Sequence, residues 1–247
     1  MTVVGRHTGE PSKVACSCLS NMDENIVVSA GWNSQCFLWD VRASSGDPIS
    51  TIQLPGKAFG MDVTGNRIVV ATSGRRICFI DHSAGKTEVV MDRESSLKYQ
   101  SRCVSFFPDG SGIALGSIEG RVAVEFMEDL GVVSSIGKKK YAFKCHRVND
   151  TVYPVNCIVF HPKHKATFAT GGCDGTVVTW DGGNKKKLAT LPKFETSIAA
   201  LTFNHDGSKL AIASSYTFEE GERDHPLDEI FIRSMLDSEC QPKEKEV

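Results

Sequence analysis

The chain has 247 residues, with 28 Lys plus Arg against 30 Asp plus Glu and a formal charge of −2. That balance gives no reason to expect a nucleic-acid ligand, and 40% hydrophobic with 23% charged residues is the composition of an ordinary globular chain. No run of consecutive apolar residues exceeds four, which excludes a membrane-spanning helix, and Met1 to His7 show no apolar leader. The nine cysteines form no Cys-x-x-Cys pair, so they read as reduced, mostly buried thiols of a nuclear or cytosolic protein.

Thr2-Val3-Val4 is a short strand that belongs to no repeat of its own and could pair with the last repeat of the chain. The first full pattern runs from Val14: a strand to Leu19, a polar turn at 21–25, a strand to Ser29, a tight turn at Gly31-Trp32-Asn33, and a strand ending Trp39-Asp40. A second copy turns at 73–76 and ends Ile80-Asp81. A third turns at Ile118-Glu119-Gly120-Arg121 and ends Val124-Glu125. The fourth starts at Val155, turns at 162–165 and at Cys173-Asp174-Gly175, and ends Trp180-Asp181. The fifth starts at Ile198, turns at His205-Asp206-Gly207 and ends Ile230-Phe231-Ile232-Arg233. The runs are β-branched and aromatic and are bounded by Gly, Asn, Asp, Ser or Pro; no window shows a capped 3.6 period. The copies end at 40, 81, 125, 181 and 233, so they are spaced by 41, 44, 56 and 52, with insertions at 127–140 and 217–228. A period near 40 with Trp-Asp endings marks WD repeats, each one blade of a propeller. The expected fold is all-β: about five WD-repeat propeller blades over residues 1–235. An acidic, polar tail at 236–247 is expected to be disordered. The fifth copy supplies three clear strands, which predicts an unpaired outer edge.

WD blades hold their shape with a buried polar network, and two copies carry its members. The first offers His7, Ser29, Asn33 and Trp39, with Asn33 the weaker substitute for Asp. The fourth offers His146, Thr170, Asp174 and Trp180. These residues are structural, not catalytic. No Walker loop, nucleophile elbow, zincin motif or dinucleotide fingerprint is present. Cys157, His161 and His164 have a metal-like spacing, but no second ligand cluster accompanies them, so no metal and no cofactor is expected. The segment 138–147 holds five Lys or Arg residues. It reads either as a solvated loop or as a site for an anion or acidic peptide. Blade topology puts the loop carrying Lys144 on the same face as the tight turn before Arg121, in the next blade.

Residues 93–103, 117–126, 140–147, 153–156 and 210–216 closely resemble the spindle-checkpoint WD-repeat family "budding uninhibited by benzimidazoles three". A sibling family of mRNA-export, nuclear-pore WD-repeat factors shares several of these stretches. The resemblance implies a non-enzymatic adaptor built on a seven-bladed propeller, of which the first two blades have no counterpart in this sequence. It implies a nuclear protein that acts at kinetochores in mitosis, with some in the cytoplasm. The implied partners are a checkpoint kinase and its pseudokinase relative, through their GLEBS motifs, and a kinetochore scaffold phosphorylated on Met-Glu-Leu-Thr repeats. No nucleic acid, membrane or small-molecule substrate is implied. By matching position, Arg102 is the residue that pairs with GLEBS carboxylates, with Trp32 on the same face. Arg121 and Lys144 are those that contact the phosphothreonine. The alternatives are the export adaptor and a generic WD-repeat scaffold such as a ubiquitin-ligase receptor.

Overall fold

The short β-branched runs pair with their sequence neighbours into antiparallel meanders. In the computed structural model, which describes residues 15–132, 134 and 139–242, Cys16–Asn21 (β1), Ile26–Gly31 (β2), Gln35–Asp40 (β3) and Ser50–Gln53 (β4) form the first sheet in that order. Ala58–Thr64 (β5), Arg67–Thr72 (β6), Arg76–Ser83 (β7) and Lys86–Glu94 (β8) form the second. The third consists of Ser101–Phe106 (β9), Gly112–Ser117 (β10), Arg121–Phe126 (β11) and Tyr141–Lys144 (β12). A small hairpin, Arg147–Val148 (β13) with Thr151–Val152 (β14), precedes the fourth sheet. That sheet is Val155–Phe160 (β15), Thr167–Gly172 (β16), Val177–Asp181 (β17) and Lys186–Thr190 (β18). The fifth has three strands, Ile198–Phe203 (β19), Lys209–Ser214 (β20) and Glu229–Ser234 (β21). Each sheet is one WD blade, and the fold class is the all-β propeller class that the repeat spacing predicts. His7 and the Thr2-Val3-Val4 strand lie outside the described residues.

Burial explains the sequence pattern. β10 and β16 are buried along their whole length, so they read as unbroken small and apolar runs. Outer strands are covered on one face only, and β12 alternates half-buried Tyr141 and Phe143 with exposed Ala142 and Lys144.

The chain divides into two compact units between Val104 and Ser105, inside β9. In the first unit, Val28, Leu38, Ile68, Val70 and Ile80 join the first two sheets in one apolar core. In the second, Ala169 and Val177 pack with Ile198, Leu210 and Ile212 across the last two sheets. Aromatic rings fill the layer between the third and fourth sheets, with Phe107 and Phe160 at 4.5 Å and Phe143 and Trp180 at 4.6 Å between centroids.

One irregularity recurs. The pairing of the first strand with the second slips by a residue at Cys16/Cys18, Ala58/Gly60, Val155/Cys157 and Ile198/Ala200. Such a bulge re-aims the extra side chain. In two sheets that side chain reaches the next one: Ser17 Oγ donates to the Ala58 carbonyl at 2.7 Å, and Asn156 Nδ2 donates to the Ile198 carbonyl at 2.9 Å.

The tail expected to be disordered from 236 carries, in its described residues, a turn of helix at Asp237–Cys240 (α1). Arg233 holds Glu239 with two bonds of 2.9 and 2.8 Å, Thr167 Oγ1 donates to the Cys240 carbonyl at 2.8 Å, and the Cys240 side chain is buried. These contacts order a segment whose composition alone reads as solvated.

Candidate functional site

The fourth repeat contains a continuous polar chain. Trp180 Nε1 donates to Thr170 Oγ1 at 2.9 Å, Thr170 Oγ1 lies 2.8 Å from His146 Nε2, and His146 Nδ1 lies 2.9 Å from Asp174 Oδ1. Burial raises the Asp174 carboxyl, but bonds from His146 and Thr176 outweigh it and hold the group below its ordinary value. An ionised carboxylate only accepts, so Nδ1 carries a proton, and in the neutral imidazole Nε2 then accepts from the Thr170 hydroxyl. Every link then has one donor and one acceptor. The first repeat holds a shorter version: Trp39 Nε1 donates to Ser29 Oγ at 2.7 Å, while Asn33 turns to its neighbour Gln35 at 2.9 Å.

In the third sheet, the turn before β11 depends on Gly120. Its φ is +61°, and a Cβ there would lie 2.7 Å from the Cys145 carbonyl oxygen. The Cys145 backbone N–H donates to the Gly120 carbonyl at 2.9 Å, and Arg147 Nη2 donates to the Glu119 carbonyl at 2.8 Å. This fixes where Arg121 starts its strand. Lys144 is not in a loop of the next blade, as the sequence pattern predicts. It ends β12, the outer strand of Arg121's own sheet, because Tyr141 and Phe143 alternate inward and make the segment a strand. Arg121 and Lys144 are directly opposite in register. Opposed residues share a face, with Cβ atoms about 4.5–5.5 Å apart. Two cations on one face repel when their charged ends converge, unless an anion lies between them. Arg121 Nε is 3.7 Å from Glu119 Oε2, and Glu119 Oε1 is buried without a hydrogen-bond partner among the described residues. Lys144 is exposed and makes no hydrogen bond or ion pair among the described residues.

Beside Lys144 opens a groove of about 360 Å³, between β12 and β17. Its apolar wall is Tyr141, Phe143, Phe168 and Trp180, and Lys144 and Lys186 stand on its rim. Tyr141 Oη donates to the Gly182 carbonyl at 2.6 Å, and the Lys185 ammonium sits 4.6 Å from the Tyr141 ring centre. The sequence pattern does not reveal this groove, because its aromatic walls lie one repeat apart. The in–out alternation of Tyr141-Ala142-Phe143-Lys144 is the local signal for it.

Two further predicted residues belong to the first unit. Trp32, 45% exposed, meets Phe59 edge-on at 6.4 Å, with the Lys57 ammonium 5.7 Å from its ring centre. Arg102, second in β9, is half-buried and makes no hydrogen bond or ion pair among the described residues. Gly60 lets β5 run close beside it, since a Cβ there would lie 3.2 Å from the Arg102 carbonyl oxygen. A half-buried guanidinium without an acceptor suits an incoming carboxylate.

His161 holds neighbouring backbone in place. Its Nε2 donates to the Gly207 carbonyl at 3.2 Å, and its Nδ1 accepts from the Lys163 and His164 backbone N–H groups. Among the described residues no group of three or more His, Cys, Asp or Glu is placed to hold a metal. Burial pushes the Cys36, Cys78 and Cys145 thiols up to about 12, which disfavours nucleophilic thiolates there.

The family model "WD domain, G-beta repeat" matches residues 137–181, the repeat that holds the polar chain. The chain is 46% identical over 239 residues to "Mitotic checkpoint protein bub3" of Dictyostelium discoideum, covering 94% of this chain and 70% of that protein. It is 43% identical over 250 residues to "Mitotic checkpoint protein bub-3" of Caenorhabditis elegans, covering 98% and 70%. It is 38% identical over 201 residues to "Protein RAE1" of Arabidopsis thaliana, covering 80% and 56%.

Proposed function

This chain belongs to the bub3 family of mitotic checkpoint WD-repeat proteins, and from that premise we propose that it is a non-catalytic adaptor that reads a phosphorylated peptide with Arg121 and Lys144. The reading is carried by one observation: Arg121 and Lys144 stand opposite each other on one sheet, and among the described residues the pair makes one ion pair, from Arg121 to Glu119 at 3.7 Å, with none at Lys144. A phosphothreonine brings about −1.5 to −2 charges and three acceptor oxygens, enough for both. Arg102, with Trp32, serves the GLEBS motifs of a checkpoint kinase and its pseudokinase relative. The protein acts in the nucleus and, in mitosis, at kinetochores.

The test is calorimetry with a Met-Glu-Leu-Thr peptide, phosphorylated and not, against wild type and the Arg121→Ala, Lys144→Ala double variant. Phosphorylation raises wild-type affinity, the double variant loses the difference, and added salt weakens it because the site is wet. Equal binding of both peptides to the wild type ends the reading. A GLEBS peptide checks the other arm: Arg102→Ala weakens it and leaves the phosphopeptide untouched.

A further inference from the structure

The tight turns of the third and fourth repeats share one plan. Glu119-Gly120-Arg121 and Asp174-Gly175-Thr176 each set an acid, a glycine of positive φ, and a residue at the entry to the third strand. In the fourth repeat the acid is fully engaged. Asp174 Oδ1 accepts from His146 Nδ1 at 2.9 Å and from the Thr176 backbone N–H at 3.1 Å, and Oδ2 accepts from the Thr176 hydroxyl at 2.8 Å. In the third repeat a guanidinium stands where the fourth has that hydroxyl. Glu119 Oε1 is buried without a hydrogen-bond partner among the described residues, and Glu119 Oε2 lies 3.7 Å from Arg121 Nε, an ion pair too long for a hydrogen bond.

One member of this pair is fixed. The Cys145 N–H holds the Gly120 carbonyl at 2.9 Å and Arg147 Nη2 holds the Glu119 carbonyl at 2.8 Å, so the turn is pinned on both sides of its first peptide bond. The Glu119 side chain is 16% exposed and that of Arg121 35%. The carboxylate therefore stays, and the guanidinium is the member that can swing. Among the described residues Glu119 is the one acid within ion-pair distance of either Arg121 or Lys144.

We propose that Glu119 is a built-in counter-charge that holds Arg121 while the site is empty, so that an incoming anion must draw the guanidinium away from it. The proposal rests on the reading of Arg121 and Lys144 as the phosphothreonine site. Its consequence is a threshold. Every anion binds only the fraction of sites in which Arg121 has left Glu119, and its apparent affinity falls by that fraction. A phosphate, with about −1.5 to −2 charges and three acceptor oxygens, engages Arg121 and Lys144 together and overcomes the competition. A peptide carboxylate offers Arg121 no more charge than Glu119 already supplies, so it falls below the threshold.

Calorimetry on the full chain tests this with the neutral isostere Glu119→Gln. The probes are a phosphorylated Met-Glu-Leu-Thr peptide, its unphosphorylated form, and Met-Glu-Leu-Glu. The variant binds the phosphopeptide about fivefold or more tighter than the wild type does, and Met-Glu-Leu-Glu gains by a similar factor. The unphosphorylated peptide gains less than either. Glu119→Ala repeats the pattern without placing an amide in the buried position. Phosphopeptide affinity equal to that of the wild type in both variants overturns the proposal, because Glu119 then does not compete. Weaker binding in both overturns it too, because Glu119 then orients Arg121, and so does an equal gain for all three peptides. The underlying reading fails separately: a wild type that binds the phosphorylated and unphosphorylated peptides equally removes the phosphothreonine site and the counter-charge with it.

Discussion

Replacing Thr170 by Val removes one oxygen and almost no volume, so it isolates the polar chain of the fourth blade. Thr170 Oγ1 accepts from Trp180 Nε1 at 2.9 Å and sits 2.8 Å from His146 Nε2. The Val variant leaves two groups without partners: the indole N–H and the imidazole nitrogen. A buried polar group left unsatisfied costs about 1–3 kcal/mol. His146 is buried and bears that cost in full, whereas Trp180 is half-buried and recovers part of it from water. The sum is about 2–4 kcal/mol. In a protein of this size each kcal/mol moves the melting temperature by roughly 2–4 °C, so the loss is roughly 4–16 °C. Guanidinium unfolding followed by Trp fluorescence and circular dichroism measures it, with Thr170→Ser as the control that keeps the hydroxyl. A Val variant within about 0.5 kcal/mol of wild type, or a Ser variant as weak as Val, refutes the one-way chain of donors and acceptors.

Three other outcomes are expected. Burial first, and then the neighbouring His164, lower the His161 pKa below its ordinary value, so the unfolded chain takes the proton first. Stability is therefore complete above about pH 6.5 and falls as the pH drops below it, a fall that His161→Gln removes in melts at several pH values. Gly120→Ala meets both a positive φ and a carbonyl oxygen 2.7 Å away, costs about 1–3 kcal/mol, and weakens phosphopeptide binding because it shifts Arg121; equal melting of the two proteins would refute it. A thiol reagent titrates exposed Cys16 in the native protein and leaves Cys36 and Cys78, whose pKa values are about 12, until denaturant is added, as mass spectrometry of the digest shows.

The fold is legible in the sequence because a WD blade repeats. Trp39-Asp40 and Trp180-Asp181 mark the same strand in two copies, and the turns at Gly120, Gly175 and Gly207 all carry the positive φ that glycine supplies. What the sequence leaves obscure is what a repeat cannot encode by itself. Lys144 reads as part of a lysine-rich loop, although Tyr141 and Phe143 face the interior from the same strand. β13 and β14 have two residues each, too short for any periodicity to reveal. Leu236 to Cys240 look like solvated tail until Arg233 and Thr167 supply partners for them. The groove needs side chains from two repeats at once, so its walls are visible as aromatics but not as neighbours.

The bulged first strands also shape how the chain can assemble. Ser17 reaches Ala58 across 41 positions and Asn156 reaches Ile198 across 42, so each staple closes one repeat of chain. Loop-closure entropy grows only as about 1.5 RT ln n, which makes these two closures nearly equal in cost. As the nascent chain leaves the ribosome, the first and fourth blades have their staples as soon as the first strand of the following blade emerges. At those two joints the chain closes as a zipper does, each tooth locking once its partner strand has appeared.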